Sequence, residues 1–313
     1  MFSYRSIFRK ALKVTWRNKY LWFFGLFASL VSFGTEYQIL SKAMGEKGRP
    51  MYMYFQDAGI FSSKFWSNMA ELWASDAWAL ITILIVGLLC LAIMVFLAWL
   101  AVISQAAIID SAEKIVNKRK ESLSLSIASG LAVGRHKFWR VLSLNVITKV
   151  IVAILVWLIS LPLISSITTP EFSIIYVILF VTLVPIALVF SLFINYSIAF
   201  VVIKDNTVSK ALQQGWKLFK NNWLTSIEMA FMLFLVNFLF TIVITLSATI
   251  FFLVFISIFS PIMLSLGVLA LIMFMVVSGC ALSTFQITAW TDLFIKLRSN
   301  KVSSRLERLM PKV

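Results

Sequence analysis

The length of the uncharged apolar runs most constrains what this chain can fold into. Residues 79–109 contain no Asp, Glu, Lys or Arg. About 20 mostly apolar residues are enough to cross the ~30 Å hydrocarbon core of a bilayer. With 61% of its residues hydrophobic and only 13% charged, the chain has neither the polar surface of a soluble enzyme nor the composition of a disordered segment. We therefore expect a polytopic, all-α membrane protein.

Apolar runs of this kind occur six times. They cover approximately residues 20–40, 78–109, 141–167, 172–203, 223–259 and 262–295. Several exceed the ~25 residues that a span needs, so tilt or helical extension beyond the lipid is expected. The pattern predicts one integral membrane domain over residues 1–313, an all-α transmembrane bundle of six spans.

The basic residues predict the orientation. The chain has 28 Lys and Arg against 13 Asp and Glu. Of these basic residues, 23 lie before the first run, between the second and third, between the fourth and fifth, or in the tail 296–313. Because Lys and Arg are retained on the cytoplasmic side, we predict cytoplasmic N and C termini in the inner membrane of a prokaryote. Most of the excess positive charge then reflects topology, and a nucleic-acid partner is not expected.

Basic, Trp-containing segments precede the odd-numbered spans. They read ALKVTWRNKYLW (11–22), GRHKFWR (134–140) and ALQQGWKLFKNNW (211–223). In the first, basic residues step by four along one helical face, which predicts an interfacial helix over residues 1–19. The expected architecture is three helical hairpins, each preceded by a basic interfacial helix. The similarity has two alternative explanations. The segments are copies of a threefold repeat, or each segment independently carries the basic residues and Trp that anchor a span. The predicted anchors are Trp16, Trp22, Trp139, Trp216 and Trp223.

The Ala-Leu-x-x-x-Trp-Lys entry at residues 211–223, with its echo at 11–22, resembles the membrane module found ahead of some bacterial glycerophosphodiester phosphodiesterases. It is also similar to stand-alone six-span bacterial proteins related to that module. The resemblance implies an all-helical integral membrane protein that works on or near lipids. It does not imply phosphodiesterase activity, because that catalytic barrel needs about 200 or more further residues.

Five polar residues interrupt the cytoplasmic halves of the spans, where burial in lipid is costly. They are Asn145, Lys149, Asn195, Glu228 and Gln286. One hypothesis is that they line a polar pocket open to the cytoplasm, with Lys149 and Glu228 paired. The alternative is that Lys149 extends its ammonium to the interface and Glu228 caps a helix start.

Other patterns predict packing and anchoring. The outer segment 41–77 includes apolar residues at four-residue steps from Phe61 to Trp73, which predict an amphipathic surface helix. The pairs Gly25/Ser29 and Gly279/Ser283 have the spacing of close helix contacts. Gly130 and Gly134 share this spacing but stand outside any predicted span.

The sequence contains none of the common catalytic motifs, no paired-cysteine metal spacing and a single histidine. We therefore predict no catalytic residues, no metal and no cofactor. The leading functional hypothesis is a non-enzymatic module that binds lipid in the anionic inner leaflet, a membrane protein partner or a second copy of itself. The alternative is a small transporter or permease subunit that uses the polar pocket.

Overall fold

The computed structural model describes residues 4–32, 67, 77–117, 126–164, 170–258 and 261–299. Every regular element in these ranges is an α-helix, which confirms the all-α part of the predicted fold. The helices are α1 (Tyr4–Arg17), α2 (Tyr20–Ser32), α3 (Ala77–Val116), α4 (Ile127–Ile164), α5 (Pro170–Lys204), α6 (Val208–Asn221), α7 (Trp223–Ile258) and α8 (Pro261–Arg298).

Within the described ranges, five helices are long and apolar enough to cross a membrane: α3, α4, α5, α7 and α8. Large apolar side chains cover their outer faces, and Leu88 on α3, for example, is 72% exposed. Continuous exposed apolar surface of this extent is not stable in water. These faces therefore require lipid.

The first predicted span is described only in part. Helix α2 has 13 residues and is about 20 Å long, which is shorter than the ~30 Å hydrocarbon core. Residues 33–40 of that predicted span lie outside the described residues. The segment 41–77 with its predicted amphipathic helix, apart from residues 67 and 77, and the end of the basic tail, residues 300–313, also lie outside them.

Two of the three entry segments are separate from the helix that follows them, and the third is continuous with it. Helices α1 and α2 are separated at Asn18, whose side-chain amide donates a 2.8 Å hydrogen bond to the carbonyl of Val14. Helices α6 and α7 are separated at Asn222, whose backbone N–H bonds the carbonyl of Phe219 at 3.0 Å. The middle segment, GRHKFWR, has no Asn or Pro to end a helix and is continuous with its span in α4. The expected separate interfacial helix is thus the first part of α4.

The chain groups into two compact units. The second unit contains residues 34–99 and 149–189. Its buried core is formed by Val152, Val184 and Ala187. The first unit contains residues 1–33, 100–148 and 190–313, and it includes all three entry segments.

In the first unit, each entry segment packs on one of the long helices. Helix α1 packs on α8, where the rings of Phe8 and Phe285 lie 5.7 Å apart. Helix α6 packs on α5, where the ring of Trp216 lies 5.5 Å from that of Phe193.

The middle entry segment packs on α3 through a glycine. A Cβ added at Gly134 would lie 2.5 Å from the carbonyl oxygen of Ile103, so only glycine fits. The second and third entry segments thus pack on the long helices that precede them in the chain, α3 and α5, and the first packs on the last long helix, α8. A true threefold repeat stays a prediction.

The spacing of small residues predicted one close helix contact correctly. A Cβ at Gly25 of α2 would lie 2.3 Å from the carbonyl oxygen of Cys280 on α8. At Gly279 no described atom beyond the neighbouring backbone of α8 lies within 4 Å of the added Cβ, so no close contact with another described helix is found at this glycine. Gly130 and Gly134 are both buried and serve contacts within the chain.

Candidate functional site

Helix α1 presents different chemistry on each of its faces. Its main apolar face is buried within the protein, with Ile7 and Ala11 fully covered. A second apolar strip remains exposed, where Leu12 is 57% and Trp16 is 65% exposed. The apolar face that a surface helix normally inserts into lipid is therefore occupied by protein contacts.

Basic side chains line a cleft along α1. The cleft has a volume of about 450 Å³ and is lined by Arg5, Ser6, Arg9, Lys10 and Lys13. We call it the α1 cleft. All four of its basic side chains are exposed, and none of them forms an ion pair with a described residue. Ser6 accepts a hydrogen bond of 3.3 Å from Lys296 of α8, which ties the cleft to the helix beneath it.

Two of the three Lys and Arg side chains of the middle entry segment bind protein groups, while Arg135 is exposed. Arg140 lies 2.7 Å from the carboxylate of Asp205. Lys137 donates a hydrogen bond to the carbonyl of Val202. In α6, Lys217 and Lys220 are exposed on the helix surface. The three entry segments are therefore similar in sequence but differ in the charge that they leave available.

Four of the five predicted anchor tryptophans have exposed side chains: Trp16, Trp139, Trp216 and Trp223. The fifth, Trp22, is half-buried. Its indole N–H donates a 2.9 Å hydrogen bond to the carbonyl of Thr15. Its ring lies 5.7 Å from that of Trp16 in an edge-on arrangement. Trp22 thus stabilises the turn between α1 and α2.

Two residues of the predicted polar pocket have partners of their own. The side-chain amide of Asn145 donates a 2.9 Å hydrogen bond to the side-chain oxygen of Gln105 on α3. The carboxylate of Glu228 accepts a hydrogen bond from the hydroxyl of Tyr4.

The other three pocket residues are placed without a shared contact among the described groups. Asn195 and Gln286 are half-buried. Lys149 belongs to the second unit, and its side chain is exposed. A common pocket and a Lys149–Glu228 pair stay predictions.

The sequence reasoning missed a buried acid. Asp292 on α8 is fully buried, and one carboxylate oxygen lies 2.8 Å from the ammonium of Lys296, one turn later. Neither of its oxygens accepts a hydrogen bond of good geometry from a described residue. Asp292 lies near the end of the last predicted span, 262–295, and was not among the polar residues that the sequence analysis singled out. Its spacing of four from Lys296 was the available signal.

Comparison with known proteins adds no relative: no protein-family model, curated protein or solved structure matches the chain. Among the described residues, no group of three His, Cys, Asp or Glu side chains could hold a metal ion. The helices themselves define the class. The chain is a multi-pass, all-α integral membrane protein.

Proposed function

We propose that this chain is a six-span protein of a prokaryotic cytoplasmic membrane, with both termini in the cytoplasm, and that it binds anionic lipid of the inner leaflet without catalysing a reaction. One observation carries the proposal. Helix α1 buries its main apolar face in the protein but leaves the cations of the α1 cleft exposed. A helix that served only as an anchor would place that face in the bilayer.

Electrostatics supports the choice of an anionic lipid. Each Lys or Arg near an anionic membrane surface contributes about 1 kcal/mol of attraction. Arg5, Arg9, Lys10 and Lys13 are all exposed on one short helix. Trp16 lies exposed on the same helix, and an exposed Trp side chain is suited to the headgroup level. The suggested kinship with membrane modules of lipid-related enzymes agrees with this proposal.

The transporter alternative requires the polar residues of several spans to share a cavity. The separate partners of Asn145 and Glu228, Gln105 and Tyr4, favour a packed binding module instead. Lys149→Met and Glu228→Gln test the alternative directly. If both variants insert, fold and retain lipids as the wild type does, the pocket has no role in the activity.

Lipid retention in nanodiscs tests the proposed function. The full chain is reconstituted in phosphatidylcholine with or without phosphatidylglycerol, and native mass spectrometry measures the lipids that remain bound. We expect selective retention of phosphatidylglycerol that weakens as salt is raised, because salt screens exposed charges. Equal retention of the two lipids at low salt would contradict the proposal.

The topology needs its own experiment. Single cysteines are introduced at the N terminus, near residue 50, near residue 120 and in the tail, in a background without Cys90 and Cys280. A membrane-impermeant reagent applied to intact cells should label only the cysteine near residue 50. Protection of that cysteine, together with labelling of one terminus, would replace six spans with an odd number.

A further inference from the structure

The cations of the α1 cleft form a column along the helix. Arg5, Arg9 and Lys13 follow one another at intervals of four residues, so each lies about 6 Å from the next and the column is about 12 Å long. Lys10 and Ser6 are the other two residues that line the cleft. A single phosphate group contacts cations within about one helical turn of each other. The column is long enough for two phosphate groups.

The column carries a repulsion that a bound anion would relieve. Its members are like charges one turn apart, and like charges at this spacing destabilise a helix. None of them pairs with an acidic group in the described part of the chain. The two arginines add geometry to charge, since a guanidinium binds phosphate oxygens through two parallel hydrogen bonds.

The exposed apolar strip indicates that the anion belongs to a lipid. Leu12 and Trp16 are each seven residues after an arginine of the cleft, Arg5 and Arg9 respectively. Seven residues are close to two helical turns, so each apolar residue lies on the side of the helix that its arginine occupies. Both apolar side chains are exposed. A soluble phosphate would leave them in water, whereas the acyl chains of a lipid would cover them.

We propose that the α1 cleft is a specific headgroup site for a lipid that carries two phosphate groups. This inference rests on the proposed function, because it names one lipid class within the general affinity for anionic lipid. The other entry segments lack the same arrangement. Arg140 and Lys137 of the middle segment are engaged with Asp205 and Val202, and α6 contains no arginine.

A competition experiment tests the specificity. The full chain is placed in phosphatidylcholine nanodiscs that contain diphosphatidylglycerol, with two phosphates, or twice the amount of phosphatidylglycerol, with one, so that the total charge is equal. We expect at least tenfold preference for diphosphatidylglycerol per molecule. Arg5→Ala/Arg9→Ala should remove most of that preference, since each basic residue contributes roughly fivefold to binding.

A matched variant separates the site from general attraction. Lys217→Ala/Lys220→Ala on α6 also removes two exposed cations, and it should weaken both lipids alike and keep the preference. Arg5→Lys/Arg9→Lys keeps the charge but not the paired hydrogen bonds. This variant should reduce the preference only in part. It replaces the alanine variant as the test of the site if the alanine variant fails to fold.

Four outcomes would overturn the inference. Equal binding of the two anionic lipids, each above phosphatidylcholine, would leave the proposed function standing and remove the specific site. The same loss of preference in the α6 variant would also remove it. Displacement of diphosphatidylglycerol by equimolar inorganic pyrophosphate would show a site for a soluble anion. Absence of any anionic preference would overturn the proposed function as well.

Discussion

Tyr4 of α1 donates a hydrogen bond to the carboxylate of Glu228 on α7. The two residues are 224 positions apart in the chain, so the contact joins the N-terminal entry helix to the first turns of α7. Together with the Phe8–Phe285 ring contact on α8, it holds α1 against two helices. The orientation of the α1 cleft depends on this docking.

Tyr4→Phe should therefore destabilise the protein. A hydrogen bond to a charged group contributes about 1.5–3 kcal/mol, and the half-buried position of Glu228 places the expected loss toward the lower value. Thermal unfolding in detergent measures it, in a double-mutant cycle with Glu228→Gln. We expect a coupling energy of about 1 kcal/mol or more. Additive effects of the two substitutions would contradict a direct interaction.

Gly25→Ala should be more destabilising than Gly279→Ala, although both change a helical glycine in the same way. The new methyl group at Gly25 would overlap the carbonyl oxygen of Cys280, and such overpacking costs about 1–3 kcal/mol. At Gly279 the space is open. Alanine there also favours the helix by up to about 1 kcal/mol. A lower unfolding midpoint for Gly279→Ala than for Gly25→Ala would contradict the contact.

Asp205 combines an exposed ion pair with an unusual backbone. Its side chain pairs with Arg140, and its φ of 57° lies in the left-handed region at the end of α5. Asp205→Asn loses the ion pair but tolerates that conformation, so we expect a loss of less than about 1 kcal/mol. Asp205→Val loses the pair and adds about 1–2 kcal/mol of backbone strain. Equal unfolding midpoints for the two variants would contradict the role of the backbone.

The all-α class could be predicted from sequence because it depends on the length of apolar runs, which packing does not alter. The burial of α1 could not. Its spacing shows an apolar face at Ile7 and Ala11, but the same face would suit a bilayer or a protein surface. Whether this face meets protein or lipid depends on contacts with α8, such as the one between Phe8 and Phe285. Local periodicity carries no information about such distant contacts.

The polar residues illustrate the same limit. The sequence indicates Asn145 because amides are rare in spans. Its partner Gln105 lies near the end of a long uncharged apolar run, where no pattern distinguishes it. Asp292 falls inside the last predicted span, 262–295, and nothing in its local sequence shows that protein buries it. Its burial follows from the packing of several elements in the first unit, which the order of residues does not reveal.

The buried pair of Asp292 and Lys296 gives a prediction in which a double substitution is milder than a single one. Asp292 is fully buried, while the side chain of Lys296 keeps some exposure. Lys296→Met would leave a buried carboxylate without its cation, and breaking such a pair costs about 3–5 kcal/mol. Asp292→Asn/Lys296→Met removes both charges. It should be more stable than Lys296→Met alone, because replacing a whole buried pair is close to neutral.

The pair of Asp110 and Lys114 on α3 is the matched control. It has the same residue types, the same spacing of four and the same 2.8 Å distance, but both of its side chains keep some exposure. Lys114→Met should therefore lower the unfolding midpoint by less than Lys296→Met does, because water can still solvate the carboxylate of Asp110. Asp110→Asn/Lys114→Met should recover little. If the two pairs respond alike, the burial of Asp292 does not govern the free energy of its ion pair.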